Sequence, residues 1–93
     1  MAKLIELDAL DWIGAEDFYS ALLSELKAPE WHGHNLDALW DSIVEGDINE
    51  VEPPFVVRIY NLQSDTVKDF LKKVETLFVD ARNEGVAVDL ELS

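Results

Sequence analysis

Apolar and polar positions recur along this chain with two different periods, and each change of period marks a new element. Leu4-Ile5-Glu6-Leu7 is short and mostly apolar and predicts a strand. From Ala15 to Lys27 the period lengthens. Phe18, Leu22 and Leu26 fall on one stripe, with Tyr19 and Leu23 beside it, as on an amphipathic helix. Gly14 stands at its N-cap, and Glu16 and Asp17 suit the positive end of the helix dipole. Pro29 ends that element. Asn35 is a good cap for a second helix with an inner stripe of Leu36, Leu39, Trp40 and Ile43, closed by Gly46. Asp37, Asp41 and Glu45 recur at steps of four on its other side.

The second half repeats the alternation of periods. Asp47 to Pro54 is an acidic loop ending in Pro-Pro. Phe55 to Tyr60 is apolar at nearly every position, which suits a central strand buried on both faces. Ser64 or Asp65 caps a long helix running to Glu84, and Gly85 stops it. Val67, Phe70, Leu71, Val74, Leu77, Phe78 and Ala81 keep the helical period throughout. The chain closes on Val86 to Leu92. There Val86, Val88, Leu90 and Leu92 are expected to face in, and Asp89 and Glu91 out. Strands separated by helices pair in parallel through right-handed crossovers. Strands in chain order put both crossovers on one side. The expected fold class is α/β: two layers, a three-stranded parallel sheet in order 1-2-3 with helices packed on one face.

Composition narrows the picture. Ninety-three residues form a single domain, 1–93, and 48% apolar content marks a globular chain. Twenty acids against seven bases leave a formal net charge of −13, which repels nucleic acid and anionic membranes and favours basic partners. The absence of cysteine excludes disulfides, thiol catalysis and thiolate metal sites. MAKLIELDAL has no signal-peptide run, and no segment approaches membrane-spanning length. A cytoplasmic protein is expected.

The charge is concentrated. Between Ala28 and Val57 the chain holds seven acidic residues and no Lys or Arg. Asp37 and Asp41 stand one above the other on the second helix, with a like-charge cost of a few tenths of a kcal/mol. Such a pair is more often just a solvated face. Asp37 has a partial structural reason near the helix start; mid-helix Asp41 has none. Trp40 lies on the apolar stripe and is expected to pack. Trp12 is expected against the start of the first helix. Trp31, in a loop beside Gly33, suits an exposed interface anchor instead. His32 and His34 near the two aspartates could suggest zinc, but an i, i+2 pair in a loop is not a diagnostic ligand spacing. Paired carboxylates could suggest glycosidase chemistry, but a domain this small offers no obvious cleft. No GxGxxG, P-loop or nucleophile elbow is present. No metal or cofactor is expected.

The run Pro29-Glu30-Trp31-His32-Gly33-His34-Asn35-Leu36-Asp37-Ala38-Leu39-Trp40-Asp41 resembles the barstar family, intracellular inhibitors of a secreted ribonuclease. The resemblance spans most of the chain, including Ala81, Glu84, Gly85 and the terminal Ser93. It implies a non-enzymatic protein that plugs a ribonuclease active site with the second helix and the loop before it. Carried over position by position, it assigns partner contacts to Asp37 and Asp41, the second being central. Trp31 takes the place of the family's loop tyrosine. Gly33, Asn35 and Ala38 border the surface, and Asp80 on the last helix replaces a glutamate. Val44 and Glu45 stand where the family has Thr and Gly. His32 and His34 replace an aromatic and an acidic residue, and the loop after the second helix is longer and more acidic. The family's short third helix is compressed here, so that Asn61 to Ser64 is expected as a turn. The implied partner is a basic, extracellular, barnase-like ribonuclease, bound one-to-one by a chain monomeric when free. An acidic immunity protein for a toxin that is not a ribonuclease remains the alternative.

Overall fold

Three strands, Lys3–Asp8 (β1), Phe55–Tyr60 (β2) and Val88–Leu92 (β3), form one parallel sheet in the order β1-β2-β3 in the computed structural model, which describes residues 2–92. The helices are α1 (Ala15–Glu25), α2 (Leu36–Trp40) and α3 (Asp65–Asn83). A π-helical turn over Asp41–Glu45 continues α2 without a break. This is the expected two-layer α/β arrangement. The register sets Ile5 beside Val57 and Leu90, and Glu6 beside Arg58 and Glu91. Side chains alternate across a strand, so Ile5, Leu7, Phe55, Val57, Ile59 and Val88 share one face. All six are buried together with Phe18, Leu22, Leu39, Leu71, Val74 and Phe78 from the helices.

The expectation that Phe55 to Tyr60 is buried on both faces does not hold. Val56, Arg58 and Tyr60 are only half-buried. With strand order equal to chain order, both crossovers place their helices on the same side and leave the other face in water. Arg58 lies across that open face, 3.9 Å from Glu6 and 3.3 Å from Glu91. Val56 and Tyr60 serve the sheet by β propensity.

The closing strand also departs from expectation. Its inward residues lie on the helix side, but burial fades from Val88, 2% exposed, through half-buried Leu90 to Leu92, 37% exposed. The strand begins at Val88. Gly85 (φ 92°) and Val86 form the turn out of α3, with Val86 N–H donating to the Ala81 carbonyl.

The helix ends follow local chemistry. Asp17 Oδ2 accepts the backbone N–H groups of Ile13 and Gly14 at 2.7 and 3.1 Å and so fixes the entry to α1. That helix stops at Glu25, two residues before the expected end, because Lys27 turns left-handed at φ 53°. Ser64 Oγ caps α3 by accepting Val67 N–H. Asn61 to Ser64 contains no helix, as expected. An aromatic cluster joins α1 to α3. Trp12 meets Phe18 edge-on at 6.1 Å, and half-buried Phe70 meets Phe18 and Tyr19 at 5.6 and 5.5 Å.

Candidate functional site

The candidate surface is built on the loop from Pro29 to Asn35 and on the helix it leads into. His32 N–H donates to the Pro29 carbonyl at 3.0 Å, which closes a tight turn. The His32 ring is buried, 5% exposed, with Nδ1 2.8 Å from the Gly33 carbonyl. Gly33 lies directly on the first turn of α2. A Cβ there would stand 2.8 Å from Asn35 Nδ2 and 3.1 Å from Ala38 Cβ, so a larger residue would have to displace the capping side chain. Asn35 is the expected cap: its Oδ1 accepts Ala38 N–H at 2.7 Å. Leu39 and Ile43 are buried, and Trp40 packs half-buried against the core. Gly33, Asn35 and Ala38 therefore have structural work in holding the loop against the helix, besides any role at a border.

Asp37 and Asp41 are both exposed, one turn apart. The helix was expected to stay regular as far as Glu45, and it does not. From Asp41 it widens into the π turn, where hydrogen bonds run i to i+5. Glu45 lies at the end of this turn and is exposed. Buried Ser42 donates to the Leu39 carbonyl at 3.1 Å, and Val44 is half-buried. Gly46 (φ 77°) and Asp47 (φ 61°) end the segment.

Trp31 is 73% exposed, as expected from its place in the loop. The seven carboxylates of this stretch, on Glu30, Asp37, Asp41, Glu45, Asp47, Glu50 and Glu52, are all exposed. Among the described residues none of them is in an ion pair. Paired cations lie elsewhere: Arg58 on the open sheet face, Lys68, Lys72 and Arg82 on α3. The acidic loop is no loose tail. Glu50 and Val51 N–H groups donate to the Lys27 and Leu26 carbonyls at 3.4 and 3.0 Å, and Asn49 is buried.

Asp80 is exposed on α3, on a different element from the rest of the set. The two histidines diverge: His32 turns to Gly33, while His34 Nδ1 meets the Glu16 carboxylate on α1. The His34 ring also stacks on Tyr19, at 5.9 Å and 27°. Burial, and after it the Glu16 charge, pushes the Tyr19 phenol above its ordinary value. Nothing in residue spacing announced the His34–Glu16 contact, which joins positions 18 apart. A groove of about 200 Å³ lies between α3 and β3, lined by Glu75, Phe78, Val79, Arg82, Asp89 and Leu90, none of them in the loop or in α2.

A capped acidic helix beside a solvent-facing tryptophan is the kind of surface that small protein-binding modules present. The family model described as Barstar (barnase inhibitor) matches residues 2–92, nearly the whole chain. The chain belongs to the barstar family.

Proposed function

We propose that this chain inhibits a basic, secreted, barnase-like ribonuclease by laying α2 and the loop before it over the enzyme's active site. It is a binding protein and not an enzyme. It works in the cytoplasm, and is monomeric until it forms a one-to-one complex. The observation that carries the reading is the set of exposed carboxylates around α2 that have no ion-pair partner among the described residues, with Asp37 and Asp41 on one line and Trp31 exposed beside them. A ribonuclease must hold phosphate and stabilise developing negative charge, so its site is rich in Arg, Lys and His. Carboxylates fixed on a capped helix stand in for those phosphates and keep RNA out. Asp41 takes the central place, Asp37 flanks it, and Trp31 anchors the edge. Gly33, Asn35, Ala38, Val44 and Glu45 border the contact, and Asp80 reaches the partner from α3. A partner surface already held in shape loses little entropy on docking. The barnase–barstar pair is itself a reference case for steering and interface hot spots. The test is direct: titrate the chain into a barnase-type ribonuclease and follow RNA cleavage. Loss of cleavage near one equivalent supports the reading. Full cleavage in excess chain contradicts it.

A further inference from the structure

The loop that carries Trp31 is held mainly by contacts within itself. His32 N–H bonds Pro29, His32 Nδ1 bonds Gly33, and Asn35 bonds forward into α2. Among the described residues, one hydrogen bond leaves Pro29–Asn35 for an element other than α2. It runs from His34 Nδ1 to the Glu16 carboxylate in the first turn of α1. The same ring stacks on Tyr19, one turn further along α1. Tyr19 is in turn wedged by Phe18 and Phe70, at 5.5 Å from each. A polar and an aromatic contact thus converge on a single side chain, and they tie the loop to the aromatic cluster between α1 and α3.

We propose that His34 is the positioning residue of the inhibitory face. It sets the pose of the loop against α1, and with it the direction of Trp31 three residues before and the entry to the Asn35 cap one residue after. The proposal rests on the reading of this face as inhibitory and deepens it. His34 works before docking: by holding the loop in one arrangement it removes an ordering cost that binding would otherwise meet. Glu16 has a matching role. Its carboxylate is occupied by His34 and held away from the partner, unlike the unpaired carboxylates around α2.

Three variants separate the two contacts from general stability. His34→Ala removes both. His34→Asn keeps a donor near the Nδ1 position without the ring. His34→Phe keeps a ring for Tyr19 without the donor. Two readouts are taken on each: amide exchange of His32 and Ala38 in the free chain, and affinity for a barnase-type ribonuclease that the parent inhibits. In His34→Ala both amides should exchange faster, while Leu71 and Val74 in α3 keep their protection. The dissociation constant should rise about three- to tenfold. The Asn and Phe variants should each recover part of both effects, and in a Glu16→Ala background the advantage of Asn over Ala should vanish. Unchanged loop exchange in His34→Ala overturns the proposal. So does a loss of protection throughout the chain with the affinity of the folded fraction unchanged, because the role is then only structural. If no basic ribonuclease is inhibited by the parent, the functional reading fails, and the exchange comparison still decides whether His34 positions the loop.

Discussion

Trp31 and His32 are neighbours with opposite fates, one 73% exposed and the other 5%. Under the proposed function Trp31 is an interface anchor, so Trp31→Ala should weaken the complex by about 2 kcal/mol or more. The melting temperature should stay within a degree or two of the parent, as an exposed side chain holds little of the core. Unfolding of the variant would make Trp31 a structural residue. The exposure of Trp31 was legible from its place in a glycine-bearing loop. The burial of His32 was not, because a polar ring in an aperiodic segment carries no hydrophobic signal. Tyr19 gives a second residue-level outcome. Burial, then Glu16, raises its pKa above the ordinary 10.0, so the fold favours the protonated phenol. That contribution is complete below pH 10 and is lost as pH rises through the folded value. Tyr19→Phe should therefore lose less stability than the parent on going from about pH 9 to 11 in thermal melts. Equal alkaline losses in the two proteins would show that Tyr19 carries no such linkage.

At the scale of elements, the free edge of β3 is closed by its own neighbours. Phe55 N–H bonds the Ala87 carbonyl, and in a parallel ladder this phase points the N–H and C=O groups of Val88 and Leu90 outward. Asp89 Oδ1 accepts Leu90 N–H at 2.9 Å, while Arg82 covers the Val88 carbonyl at 3.3 Å and is held by Asp89 at 2.9 Å. Open strand edges invite pairing with another chain, and such coverage prevents it. Asp89→Ala frees both groups, so at raised concentration sedimentation should report a larger mass than for the parent. Identical masses would show that the pair does not guard the edge. Periodicity made the strands, their order and the inward side of β3 legible. It could not show how far helical cover extends, which is why Leu92 lies open. The π turn was hidden for a related reason. Leu39, Ile43 and Gly46 satisfy a regular helix equally well, and only backbone geometry separates the two windings. The His34–Glu16 contact was hidden because tertiary pairs between loop and helix have no local period.

For the molecule as a whole, the decisive quantity is where the charge sits. Net charge −13 is legible in composition, and the run without Lys or Arg located it along the chain. The fold adds that these carboxylates stay exposed and, among the described residues, out of ion pairs, with the paired cations on α3 and on the open sheet face. Under the proposed function, such asymmetry should steer a basic partner toward α2. The association rate with a basic ribonuclease should fall steeply as salt rises, since screening shortens the field to ~8 Å at physiological ionic strength. The dissociation rate should change far less. A salt-independent association rate in stopped-flow mixing would remove steering from the account.

The most direct test of the central claim is made on Asp41. This carboxylate is exposed, stands in line with Asp37, and has no ion-pair partner among the described residues. In the complex it should meet two or more cations, so Asp41→Ala should cost about 2–5 kcal/mol of affinity by leaving them unpaired. In the free chain the same change relieves repulsion with Asp37 and installs a better helix former, so the melting temperature should hold or rise. Inhibition of one ribonuclease and thermal stability are measured together on this single variant. Inhibition that collapses while stability holds is the result predicted here; inhibition equal to the parent's would contradict the phosphate-mimic mechanism.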